Sequence, residues 1–293
     1  MKKVPWFVSL HGGHSSDYCD HASDTLSDMI RAAVDRGMTT FGISEHAPRF
    51  EAHYLYPEEV AMGWTIAKIQ EDFERYACES REFVARHSRQ IELLRAFEIE
   101  VAPRSAYVDR MKSLRQQHGF DYIVGSVHYV NDRLFDHRDL FGDVVRFMGG
   151  LEKLVLAYYE QLAEMVSALR PEVVAHLDVY RKYAGNAPEL ESSAVKTAAE
   201  HALDAVQQCG SILDVNTGAY RKGLDTPYPA PWLIHAAHSR GIPFCFGDDS
   251  HCCADVGSGI ARARDYLVEL GVRYICVLTR SKEGISRKEV PLV

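Results

Sequence analysis

The sequence predicts an α/β barrel with a polar centre at one mouth, on three observations. Apolar runs of strand length alternate with longer stretches of helical period, the pattern of parallel strands joined by helices. Those runs end repeatedly in histidines and carboxylates: His11 to His21, Ser44-Glu45-His46, Glu98-Ile99-Glu100, Val127-His128, Ala175-His176-Leu177-Asp178 and Gly247-Asp248-Asp249-Ser250-His251. The 293 residues, 46% of them hydrophobic, suit seven or eight βα units. No repeat, low-complexity tract or Pro/Gly-rich linker interrupts them, so residues 1–293 read as a single domain.

Strands are expected near 4–11, 39–46, 92–101, 121–129, 172–178, 211–217, 243–249 and 273–279. Between the first two, Asp24-Thr25 offers a cap, and the spacing of Met29, Ile30, Ala33 and Val34 marks one buried helix face. Gly37 supplies the stop. Residues 64–87, 143–169 and 190–208 read as long helices. His87 and His201 on them, together with His118, His235 and His238, read as surface residues and not as ligands.

A net charge of -8 and a pI near 6.0 argue against a general nucleic-acid binder, which needs a basic surface to displace counterions. The N-terminal apolar run is too short for a signal peptide, and no stretch approaches a membrane span, so a cytoplasmic protein is expected. Seven irregularly spaced cysteines point to free thiols. Cys252 and Cys253 follow His251 directly, but adjacent cysteines are poor partners for one metal.

In such a barrel the active site lies at the C-terminal strand ends, where loops vary without disturbing the core. Glu98 and Glu100 alternate onto one face, normally the interior. Buried charge needs a partner, and divalent cations supply it: imidazole and carboxylate together suit zinc, manganese or iron. The residues alone therefore imply a centre of several metals with open positions, suited to hydrolysis.

These motifs, in order and extending from residue 8 to about 260, resemble those of the polymerase-and-histidinol-phosphatase (PHP) family. Gly125-Ser126-Val127-His128-Tyr129, Asp214-Val215-Asn216-Thr217 and His176-Leu177-Asp178 with Arg181-Lys182 are similar to its histidinol-phosphatase branch. The resemblance implies a distorted TIM-like barrel of seven strands and two or three divalent metals. Carried over by position, His14, Glu100 and Asp249 would hold the first, with Glu100 bridging to a second held by His128 and His176. His21, His46 and His251 would hold the third. Asp249 fits the family's Asp-x-His pattern better than Asp248, and Glu98 falls where the family has glycine, leaving it to orient a ligand. The family opens with His-x-His, whereas this chain has His11-Gly12-Gly13-His14. Positions i and i+3 reach one centre only if the backbone bends, which two glycines permit, so His11 is also expected to ligate.

The resemblance implies metal-assisted hydrolysis of a small phosphate monoester, L-histidinol phosphate, in histidine biosynthesis, with Glu100, Asp249 and His251 at the chemistry. No Gly-x-Ser-x-Gly element or P-loop offers another route. Arg221 and Lys222, and Arg181 and Lys182, are candidates for phosphate, and Asp178, Asp136 and His137 for the amine and imidazole. The rivals are a phosphodiester-cleaving nuclease, disfavoured by the acidic balance, and a metal-binding module without turnover. Nucleic-acid and membrane partners are not expected; metal identity and oligomeric state are left open.

Overall fold

The computed structural model of the chain describes residues 4–185 and 187–293. Seven parallel strands succeed one another around a ring: β1 (Val8–Ser9), β2 (Thr40–His46), β3 (Glu92–Glu98), β4 (Val124–Gly125), β7 (Val173–Val174), β8 (Ile212–Asn216) and β9 (Phe244–Gly247). A small antiparallel pair, β5 (Tyr129–Val130) and β6 (Arg133–Leu134), lies between β4 and β7 in the chain. The ring nearly closes where the Leu10 amide donates to the Phe246 carbonyl at 2.8 Å. Register places His46 beside Glu98, so strand ends converge at one mouth.

The helices form where the sequence supplies caps and one apolar face. In the helix Leu26–Asp35 the Thr25 hydroxyl accepts from the Asp28 amide, and Leu26, Met29, Ile30 and Ala33 face inward. In the helices Ile66–His87 and Ser193–Cys209, Thr65 and Ser192 cap in the same way. The long helix expected over 143–169 is two, Arg138–Met148 and Leu151–Leu169. Gly149 and Gly150, at φ 80 and 129, take backbone angles that break a helix. His118, expected at the surface, is buried at the end of the helix Tyr107–His118, where its ring packs on Phe73 and Phe120.

The strand expected at 273–279 is not part of the barrel. β10 (Tyr274–Ser281) turns back through a polar tip and pairs antiparallel with β11 (Gly284–Pro291). Its alternation puts Cys276 and Leu278 against Leu10, Leu94, Tyr122, Val124, Val173, Ile212 and Cys245, closing the N-terminal end with an apolar floor. The Tyr122 hydroxyl crosses that floor to donate to the Leu10 carbonyl at 2.6 Å. Only glycine fits beneath it, since a Cβ on Gly42 would lie 1.9 Å from that oxygen. No helix is long and apolar enough to cross a membrane.

Candidate metal centre

Glu98, the last residue of β3, stands at the middle of the mouth and is 1% exposed. Its Oε1 lies 3.1 Å from His176 Nε2 and 3.4 Å from both His11 Nε2 and His128 Nε2. Its Oε2 lies 3.2 Å from His46 Nδ1 and 3.7 Å from His14 Nε2. Asp249 Oδ1 approaches His14 and His11 at 3.6 and 3.8 Å. His251 stacks on His14 at 4.5 Å between ring centroids and lies 4.7 Å from His21. The nine ligands expected from the sequence thus meet at one place. Glu98, expected only to orient a ligand, stands at the middle, and Glu100, expected to bridge, lies to one side with His46 and His128, a trio whose donor atoms are close enough to hold a cation.

Glu100 sits behind His128, accepting the Tyr56 hydroxyl at 2.9 Å and lying 3.2 Å from His128 Nδ1. It lines neither cavity of the cleft, while Glu98 lines the inner one. The physical reason is register: β3 ends at Glu98, level with His46, and Glu100 lies one further step outward on the same side.

Several buried imidazole nitrogens have no hydrogen-bond partner: His11 Nε2, His14 Nε2, both nitrogens of His46, and His251 Nε2. An unpaired buried polar atom costs about 1–3 kcal/mol, so such a concentration calls for a partner. The spacing identifies its kind. Two ligands each about 2.0–2.2 Å from one cation stand about 3.0–3.5 Å apart, the range in which most of these nitrogen–oxygen pairs fall. The residues fit divalent metal.

The other ring nitrogens are held from behind, which aims Nε2 inward. Asp214 Oδ2 takes His11 Nδ1 at 2.9 Å and is itself held by Asn216. Glu45 faces His14 Nδ1 at 3.4 Å, Asp20 takes His21 Nδ1 at 3.0 Å, and the Asp249 carbonyl takes His251 Nδ1 at 2.9 Å. Sequence reasoning gave Asp214, Glu45 and Asp20 no role. The available signal was position, a carboxylate beside or two residues before a polar strand end.

Burial opposes charge on His11 and His128, but Glu98 with Asp249, and Glu100 with Glu98, raise their pKa well above the imidazole range. Burial and then the His14 ring hold His46 and His251 well below it, in the neutral form that binds metal. Burial resists ionisation of Glu98 and Asp249 too, yet the surrounding histidines keep both carboxylates far below their usual range.

The bend at His11-Gly12-Gly13-His14 is present. Gly13 is left-handed at φ 77, and both flanking rings turn inward. Gly12 also passes so close to the loop after β9 that a Cβ would lie 2.1 Å from Asp248 Oδ1. Asp248 is fully buried, accepts from the Ser250 and Gly257 amides, and has its pKa pushed up to about 6 by burial. Asp249 reaches the centre through its own left-handed backbone, φ 49, clamped by Arg221 Nη2, which donates to the Asp248 and Asp249 carbonyls at 2.8 and 2.6 Å.

Above the cluster lies a cleft of two adjoining cavities, 260 Å³ and 480 Å³. Lys182, Arg221, Lys222 and Asp136 line both, and His137 and Glu58 line the outer one, paired at 2.9 Å. Lys182 is paired with Asp136 at 3.1 Å. The Lys222 ammonium has no hydrogen bond or ion pair among the described residues, and burial, then Lys182, lowers its pKa.

Two expected contributors are elsewhere. Arg181 and Asp178 pair with each other at 3.1 Å, and Asp178 also accepts the Ala230 amide. Arg181 further donates to Thr226 Oγ1 and the Pro227 carbonyl. Both line a separate 470 Å³ cavity, while their neighbours Val179 and Lys182 line the mouth.

Comparison with known proteins agrees with this architecture. The PHP domain model matches residues 11–218. The probable histidinol-phosphatase of Schizosaccharomyces pombe is 31% identical over 94% of this chain and 91% of its own length. The histidinol-phosphatase of Saccharomyces cerevisiae is 28% identical, with 96% of each chain covered. A solved Lactococcus lactis histidinol phosphate phosphatase, in complex with zinc, L-histidinol and phosphate, superposes with a TM-score of 0.72. It is 17% identical, over 95% of this chain and 98% of that one. With the PHP domain model matching residues 11–218, and with the histidine and carboxylate ends of its strands gathered at one mouth, the chain belongs to the PHP family.

Proposed function

We propose that this protein is a metal-dependent phosphomonoesterase that hydrolyses L-histidinol phosphate to L-histidinol and phosphate. The carrying observation is the buried histidine and carboxylate cluster around Glu98, opening into a cleft whose wall supplies Lys182, Arg221 and Lys222. The names of the curated relatives narrow the substrate. Two or three divalent cations, zinc foremost, fit the donors: His11, His14, Glu98 and Asp249 for one; Glu98, His128 and His176 for a second; His21, His46 and His251 for a third. Glu98 would be shared between two of them, and Glu100, beside His46 and His128, would hold His128 in place.

Such cations act as Lewis acids toward phosphoryl oxygen and lower the pKa of attacking water. The chain's own groups do the rest. Lys222, its ammonium free of partners among the described residues, and Arg221 and Lys182 beside it meet the phosphoryl dianion. Asp249, on the wall of the inner cavity, would orient water and accept its proton through the carboxylate oxygen that does not face His11 and His14, while His251 would hold its cation. Asp136, His137 and Glu58 in the outer cavity meet the imidazole and ammonium, which rejects analogues that leave those groups unpaired. We place the whole chain in one barrel domain acting in the cytoplasm.

The test is phosphate release by the zinc- or manganese-loaded enzyme from histidinol phosphate, an aryl phosphate and a phosphodiester, with metal content measured in parallel. The reading predicts the highest kcat/KM on histidinol phosphate. Preference for the diester would make the protein a nuclease, and metal binding without turnover would make it a binding module.

A further inference from the structure

Cys19 was given no role by sequence and sits in an unusual place for a thiol. It is 6% exposed, yet it belongs to none of the apolar clusters of the core. Its neighbours are imidazoles. Its Sγ, one nitrogen each of His21, His46 and His251, all lie within 4.8 Å of one another. His46 Nε2 and His251 Nε2 are buried and without partners. Cys19 Sγ lies 3.3 Å from His21 Nδ1 and 3.6 Å from Nε2; Asp20 takes Nδ1 at 3.0 Å, which leaves Nε2 to face a cation. A zinc ion about 2.3 Å from sulfur and about 2.0–2.1 Å from nitrogen, at the tetrahedral angle, sets its S and N ligands about 3.6 Å apart.

We propose that Cys19 is the fourth ligand of the third cation, making that position a thiolate and three-imidazole site while the other two are bound by imidazole and carboxylate. On binding, the Sγ proton leaves to solvent and a sulfur lone pair forms the bond to the metal; no oxidant or reductant takes part. The centre is therefore chemically divided. A soft thiolate selects zinc over manganese or magnesium, whereas the sites around Glu98 accept the harder ions. The inference rests on the metal-centre reading above, and the test separates the two.

The experiment is cobalt substitution of the whole protein after chelation, followed by absorption spectroscopy and by counting bound cobalt. Thiolate-to-cobalt charge transfer in the near ultraviolet appears only if sulfur is bound. Wild type is expected to show this band, C19S to lose it and to hold the third cobalt at least roughly tenfold more weakly, and C252S to keep it. Cobalt bound by wild type without the band, a band that survives in C19S, or one lost only in C252S would overturn the assignment of Cys19 and leave the metal centre standing. Failure of wild type to bind cobalt would overturn both.

Discussion

The two ends of the barrel interior obey opposite rules, although the same strands build both. At the N-terminal end Leu94 and Ala96 of β3 join Leu10, Val124, Val173 and Ile212 over the hairpin residues Cys276 and Leu278. One step further along the same face of β3 comes Glu98, ringed by five histidines. Similarly, Ile212 lies in the floor, and Asp214 and Asn216 hold His11 in place. Alternation carries one interior face from an apolar to a polar layer in about 7 Å. The floor is satisfied by burial alone. The mouth leaves buried nitrogens unpaired until a cation arrives.

The comparison breaks most visibly at Glu98. Glu98→Gln keeps the shape and removes the charge shared by five imidazoles, so we expect turnover to fall at least roughly 100-fold and bound metal to drop. Glu100→Gln should cost far less, because Glu100 reaches only His46 and His128 among the ligands. Metal analysis and phosphate release on the pair check this; equal losses would restore Glu100 as the bridge. At the floor, Leu278→Ala should cost about 2–5 kcal/mol of stability and leave metal per folded molecule unchanged, as read by denaturant melts and elemental analysis.

The same contrast explains how much of this was legible in the sequence. The seven barrel strands and the gathering of histidines and carboxylates at their ends could be read because strand ends in a barrel share one mouth, and polar residues there stand out against apolar runs. The hairpin at 274–291 could not, since an apolar run looks alike in a parallel strand and in a floor strand. Nor could the central place of Glu98: alternation puts it and Glu100 on one face, and only the alignment of Glu98 with His46 brings Glu98 to the middle. Arg181 and Asp178 lie elsewhere because they pair with each other and with the Ala230 amide, Thr226 and the Pro227 carbonyl, contacts between distant segments that the sequence does not display.

The third prediction tests the bend that the sequence did indicate. Gly12→Val removes no ligand, but its side chain would collide with Asp248 and Ser250, so metal occupancy should fall at least severalfold under competition with a chelator. Unchanged occupancy would show that the loop after β9 yields. Smaller again is Lys222→Ala. Loss of one charge-assisted contact of about 1.5–3 kcal/mol should weaken substrate binding by roughly tenfold or more without lowering metal content. An unaltered KM would leave phosphate to Arg221 and Lys182.

The last and smallest effect is the pH dependence of stability, where mouth and floor should separate without any mutation. In the chelated protein His11, His14 and His128 have raised pKa values. Their stabilisation is complete below the unfolded imidazole pKa of about 6.5 and is lost as pH climbs through the folded values. His46 and His251 are shifted the other way, so above about 6.5 they are neutral in both states and contribute no slope. Glu98 and Asp249, held low, lose their contribution only as pH falls through their depressed values. From pH 6.5 to 8.5 the chelated protein should therefore lose a few degrees of Tm. The zinc-loaded protein should not, because cations replace those protons and bind more tightly as the donors deprotonate. Paired thermal melts across that range decide the matter: parallel curves would mean that the cluster's protons, and hence its cations, do not hold the mouth together.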